Sequence, residues 1–112
     1  MKSKLFFVDY GLSEGANVEV SVAVGNCNFF DGSMNTFKGA TKEINEANLK
    51  ANLGKWDGSE IKTLSLIAHP IPEPDMVTLD VYINGKKVGD TLSGEQDEQG
   101  FNFIVRISFA EN

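Results

Sequence analysis

Two long segments of this chain place large apolar residues at every second position. In the first segment these residues are Val18, Val20, Val22 and Val24. In the second segment they are Phe101, Phe103, Val105, Ile107 and Phe109. Alternate side chains of a β-strand point to the same side, so this spacing predicts two strands that each turn one face towards a hydrophobic core. The pattern indicates an all-β protein.

Other segments of the chain predict further strands and the connections between them. Residues 61–68 and 76–83 are predicted strands, and the apolar run from Leu5 to Val8 lies in the first strand. Asn84 and Gly85 separate two strand-like runs and predict a type I′ hairpin, because both central residues of that turn need positive φ. All three prolines lie between residues 70 and 74. Proline cannot donate to a sheet ladder, so a crossover from one sheet to another is expected there.

Residues 42–53 lack the alternation. Leu49 and Leu53 are spaced as on one face of a helix. Thr41 can cap the start of a helix, and Gly54 can end it in the left-handed conformation. A short helical segment of one to three turns is therefore predicted here.

The 112 residues are enough for one domain spanning residues 1–112, with a core that needs no metal or disulfide. Six to seven strands with regularly spaced turns predict an antiparallel β-sandwich of Greek-key or jelly-roll type. A small closed β-barrel is the alternative fold.

Charge and cysteine content narrow the partners and the compartment. The chain has 16 acidic and 10 basic residues, a net charge of −6, and Arg106 is its one arginine. Binding to nucleic acid or to an anionic membrane surface is not expected of such a chain. Cys27 is the one cysteine, so no intrachain disulfide can form, which favours a reducing compartment and hence the cytoplasm. The apolar run at residues 5–8 is too short for a signal peptide.

Catalytic chemistry has little support in the sequence. Cys27 and His69 could form a nucleophile and its base, but no cationic neighbour or helix start activates the thiol. No glycine-rich phosphate loop is present. The chain is therefore predicted not to be an enzyme and to use no cofactor, and a small hydrolase remains an alternative.

Two groups of oxygen-bearing residues are candidates for calcium. The first group consists of Asp31, Ser33 and Asn35. The second group consists of Glu95, Asp97 and Glu98. The first resembles the start of a calcium loop, but Thr36 replaces the glycine and Lys42 the final acidic residue of an EF-hand. No metal site is predicted, and a calcium-dependent module stays an alternative.

Recognition is the function that the sequence favours. The candidate ligand-binding residues are Trp56, Asp57, Lys55 and Tyr82. Trp56 lies between Gly54 and Gly58, in a loop where it can stack on a ligand or cover the open end of the sandwich. Tyr82 lies on the polar side of its predicted strand. These residues predict a non-catalytic module that binds a carbohydrate or a protein surface through its loops.

The nine residues from Val81 to Gly89 resemble hairpins of jelly-roll lectin-like and laminin-G-like domains, and this short resemblance assigns no family.

The alternative function is a structural subunit that forms a homo-oligomer through exposed strand edges. Lys86, Lys87 and Arg106 are the residues expected to protect such edges.

Overall fold

A computed structural model describes residues 1–58, 61–72 and 76–112. These residues form ten strands and no helix, and therefore no helix long and apolar enough to cross a membrane. The strands are β1 (Lys2–Leu12), β2 (Asn17–Gly25), β3 (Phe29–Asn35), β4 (Thr41–Asn45), β5 (Lys50–Lys55), β6 (Ile61–His69), β7 (Met76–Ile83), β8 (Lys86–Lys87), β9 (Leu92–Glu95) and β10 (Phe101–Glu111).

The strands form two packed sheets. Sheet one has the order β1-β10-β6-β3-β4, and sheet two has the order β5-β2-β7-β8, with β9 also paired to β7. The β1–β10 pair is parallel, and the other pairs are antiparallel. The predicted β-sandwich is confirmed, and the parallel β1–β10 pair departs from the antiparallel pairing that was predicted. The closed-barrel alternative is wrong for the part of the chain that the structure describes, because the two sheets stay separate.

The core lies between the two sheets and contains the residues that the alternation predicted. Val18 and Val20 on β2 are fully buried, as are Phe103, Val105 and Ile107 on β10. β10 lies between β1 and β6, so side chains of these two strands flank the outward-facing residues of β10. Ile104 on that outer side is accordingly half-buried.

The predicted helix at residues 42–53 is wrong, because this segment forms β4, a turn and β5. The side-chain oxygen of Asn45 accepts hydrogen bonds from the backbone N–H groups of Ala47 and Asn48 (2.9 and 3.0 Å). Asparagine readily makes such local bonds, which favour a turn over a helix. Ile44 on β4 and Leu53 on β5 are then both buried in the core.

The number of strands was underestimated because four of them are short. β4, β5, β8 and β9 have between two and six residues each. A run this short contains too few positions to show a period of two, so these strands depend on pairing with a longer neighbour.

The predicted connections are confirmed. Asn84 and Gly85 have φ values of 52° and 80°, and they join the antiparallel strands β7 and β8. The proline-containing segment leads from β6 in sheet one to β7 in sheet two. Residues 73–75, which include Pro74, lie outside the described residues.

The prediction for edge protection is partly wrong. Lys86 and Lys87 form the edge strand β8, as expected. Arg106 instead lies on β10, between β1 and β6, where it protects no edge.

Candidate functional site

One end of the sandwich gathers residues from both sheets around the end of β5. The backbone N–H of Trp56 donates to the carbonyl oxygen of Ala16 (2.8 Å), which ties β5 to the turn before β2. The N–H of Phe37 donates to the carbonyl oxygen of Leu53 (3.0 Å), which ties β5 to the turn between β3 and β4. These two bonds hold three chain segments in fixed relative positions.

Trp56 lies beside an acidic cleft at this end. Its side chain is half-buried and packs against the hydrophobic core. The cleft has a volume of about 390 Å³, and Glu14, Asp57 and Glu111 line it together with Trp56. Partial burial fits the expected covering role of Trp56 and leaves part of the ring facing the cleft.

A larger depression lies next to it, between the β3–β4 turn and the end of β5. We call it the lysine groove. Its volume is about 720 Å³, and Lys38, Lys42 and Lys55 line it. Asn17 and Asn52 also line it, and none of its lining residues is acidic. This groove therefore combines positive charge with side-chain amides.

The turn beside the lysine groove is held rigidly. Thr36 is buried, its N–H donates to the carbonyl oxygen of Ala40 (2.7 Å), and its hydroxyl accepts the N–H of Ala40 (3.0 Å). Phe37 is buried against the core, and its ring contacts the ring of Phe109 edge-on. The ammonium of Lys62 lies 5.7 Å from the centre of the Phe37 ring. Lys62 therefore lies near the Phe37 side chain, although Lys62 does not itself line the groove.

In the described part of the chain, the lysines of the groove make no salt bridge, and neither do Lys4 and Lys86. Lys2, Lys50 and Lys87 each lie within 4 Å of a carboxylate oxygen. Within residues 1–58, 61–72 and 76–112, no salt bridge involves Lys38, Lys42, Lys55 or Lys62. The groove is therefore a locally positive region on an acidic protein.

The structure does not bring the four predicted binding residues into one site. Trp56 and Asp57 line the acidic cleft, and Lys55 lines the lysine groove beside it. Tyr82 lies on the outer side of sheet two, opposite Ser21, which in turn pairs with Lys50 at the start of β5. Tyr82 is therefore separated from Trp56 by the length of β5.

Lys38 and Lys42 were missed by the sequence analysis. Lys38 lies in the turn after β3, and Lys42 lies on β4 in the segment that was predicted to be helical. Their proximity to Lys55 depends on how the two sheets pack at this edge. No pattern in the local sequence indicates that packing.

The structure places Cys27 in surroundings that suppress its reactivity. Burial raises the pKa of the Cys27 thiol, and the nearby carboxylate of Glu46 raises that pKa further. The imidazole of His69 stacks on the ring of Phe29 (4.1 Å between centres), and its Nε2 lies 2.8 Å from a carboxylate oxygen of Asp31. Neither arrangement favours a thiolate at neutral pH.

Native Cys27 should therefore react slowly with a thiol reagent at pH 7. Glu46→Gln should increase the rate, because removing the negative charge lowers the pKa of the thiol and raises the thiolate fraction. The measurement is the rate of labelling by a chromogenic disulfide as a function of pH. His69→Ala is the matched control, and fast labelling that this substitution abolishes would show a real dyad.

The first candidate calcium group does not converge. Asp31, Ser33 and Asn35 lie on the outer side of the extended strand β3. Successive outward positions of a strand are roughly 7 Å apart, whereas calcium ligands lie about 2.3–2.6 Å from the ion. The hydroxyl of Thr41 donates to the side-chain oxygen of Asn35 (3.0 Å).

The second group is engaged in other contacts. Glu95 lies 3.8 Å from the ammonium of Lys2, and Asp97 lies 3.4 Å from the N-terminal ammonium. The N–H of Gln99 donates to the Asp97 carboxylate and lowers its pKa. Glu98 is exposed. The described part of the chain contains no group of three or more His, Cys, Asp or Glu side chains that could hold a metal ion.

Comparison with known proteins identifies no family for this chain. No protein-family model, no curated protein and no solved structure matches this chain.

Proposed function

We propose that this protein is a non-catalytic recognition module that binds an acidic segment of a protein partner in the lysine groove. One observation carries the proposal: Lys38, Lys42 and Lys55 line one groove that no acidic side chain lines. Bringing like charges together without a counter-charge costs free energy, and an anionic ligand would offset this cost.

The shape and polarity of the groove support an extended peptide as the ligand. Its volume of about 720 Å³ lies within the range of about 300–1,000 Å³ that is common for ligand sites. Asn17 and Asn52 can bond to peptide N–H and C=O groups. An acidic side chain can then contact a lysine while its backbone contacts an amide.

The net charge of the whole protein supports a short ligand. At −6, the chain repels a long polyanion at a distance, but a short acidic segment that enters the groove is close to the lysines. Exposed ion pairs contribute about 0.2–1 kcal/mol each, so binding should be moderate and should weaken as salt increases.

A cytoplasmic location is part of the proposal, and the single cysteine supports it.

The test compares two triple variants that carry the same change in net charge. The first replaces Lys38, Lys42 and Lys55 with glutamine, and the matched control replaces Lys50, Lys86 and Lys87 with glutamine. The probe is a short Gly-Glu repeat peptide, its neutral counterpart is a Gly-Gln repeat, and binding is measured by calorimetry. The first variant should lose about threefold to a hundredfold in affinity, because three ionic contacts are removed. The control should bind as the parent does.

Two results would contradict the proposal. Equal losses in both triple variants would show a dependence on net charge alone and no site at the groove. Binding of a short oligogalacturonate, with no binding of the Gly-Glu peptide, would assign the groove to an acidic glycan instead. Fluorescence of Trp56, the one tryptophan, gives a second readout because Trp56 directly follows Lys55.

A further inference from the structure

We infer that the free edge of β1 binds β1 of a second copy of this chain, antiparallel and across a two-fold axis. β1 has eleven residues and pairs on one side with β10. Among the described strands, none pairs with its other side. Alternate N–H and C=O groups of β1 therefore point outward along this edge, where a second strand can bond to them.

The other edges of the two sheets are short or already in contact with other segments. β8 has two residues, both of them lysines, and β9 has four residues. β5 accepts a hydrogen bond at Leu53 from the turn next to β4, which links these two edge strands. β1, by contrast, pairs with β10 in one continuous register from Lys2 to Leu12, without a bulge or a proline. It is thus the long, regular edge of the described sheets.

The outward-facing side chains in the middle of β1 are apolar and exposed. Phe7 is 71% exposed, and Leu5 is 38% exposed. Ile104 on β10 pairs with Leu5 in the parallel register and extends the same apolar surface. Large exposed aromatic residues on a sheet face are typical of association surfaces.

A two-fold axis at Phe6 makes β1 complementary to itself. In the antiparallel pairing that this axis generates, Leu5 of each copy lies directly opposite Phe7 of the other. Directly opposed residues in an antiparallel pair have their side chains on the same face and in contact. The two symmetric Leu5–Phe7 contacts would cover the exposed apolar surface of both copies.

The charges on β1 also favour an antiparallel second copy. Lys2 and Lys4 lie near the start of the strand, and Asp9 lies near its end. With the axis at Phe6, antiparallel pairing keeps Lys2 and Lys4 of the two copies apart and places Asp9 of each copy opposite Ser3 of the other. Parallel pairing would place like charges together, at a cost in free energy. The charges therefore favour the antiparallel over the parallel arrangement.

The experiment measures mass by sedimentation equilibrium over a wide range of protein concentration. The parent should associate to a dimer. Phe7→Lys should weaken the dimer by about tenfold or more, because it removes both apolar contacts and places two positive charges at the interface. The matched control is Phe29→Lys, since Phe29 is 45% exposed on the same face of sheet one but lies on β3, away from the β1 edge.

Thermal melting at low protein concentration shows that both variants fold. A parent that stays monomeric at every concentration would overturn the inference. So would a dimer that Phe29→Lys dissociates and Phe7→Lys leaves intact. The triple variant at Lys38, Lys42 and Lys55 should still dimerise, so failure of the peptide-binding proposal and failure of the dimer proposal are distinguishable.

Discussion

Replacing Phe103 with alanine should lower the free energy of unfolding by about 3–5 kcal/mol and the melting temperature by roughly 10–20 °C. Phe103 is fully buried, and its ring lies 4.7 Å from the centre of the Phe101 ring and 5.8 Å from that of Phe6. Alanine would leave a cavity between the two sheets. A loss of this size is a large share of the ~5–15 kcal/mol that stabilises a typical domain.

Calorimetric melting of both variants checks this expectation, with Phe29→Ala as the control. That substitution removes the same atoms from a side chain that is 45% exposed and stacks on His69. Its cost should be about 1 kcal/mol, mainly from the lost ring contact. If both variants melt within a degree or two of each other, Phe103 does not lie in the core and the packing of β10 is wrong.

Gly100→Ala should destabilise the protein by roughly 2–4 kcal/mol. Gly100 has a φ of +111°, which disfavours any residue with a Cβ atom. A Cβ at this position would also overlap the backbone carbonyl group of Ala68 on β6. Gly100 and Asp97 exchange two backbone hydrogen bonds that close the turn into β10, so the backbone has little freedom to move aside.

Gly39→Ala separates these two causes. Gly39 has a φ of +96°, and a Cβ there would meet nothing within 4 Å. Gly39→Ala should lower the free energy of unfolding by about 1–2 kcal/mol, which is only the cost of holding a residue with a Cβ atom at positive φ. Urea unfolding measures both values. A Gly100→Ala variant that loses no more stability than Gly39→Ala would show that a Cβ atom at position 100 does not overlap the carbonyl group of Ala68.

Several features followed from local sequence patterns. The alternation of valines predicted β2, and the alternation of large apolar residues predicted β10. Both are long enough to show the period, and both turn those residues into the core. The Asn84–Gly85 hairpin was equally predictable, because its turn type depends on the conformational freedom of those two residues.

The segment at residues 42–53 shows where local patterns fail. Its helical spacing is real, but the side-chain bonds of Asn45 start a turn, and neighbouring strands then decide the conformation. β4 pairs with β3, and β5 pairs with β2. Pairing and the burial of Ile44 and Leu53 outweigh a weak helical preference.

By itself, the sequence determined the all-β class, the sandwich and its longest strands, because these depend on spacing and turn chemistry within short stretches. Only the tertiary structure shows that Lys38 and Lys42 lie beside Lys55, and that Tyr82 lies at the opposite end of β5 from Trp56. It also decided that β1 lies at an edge with Phe7 exposed. Such neighbours come from different sheets or distant strands, and their proximity depends on how the sheets pack and in which order their strands pair.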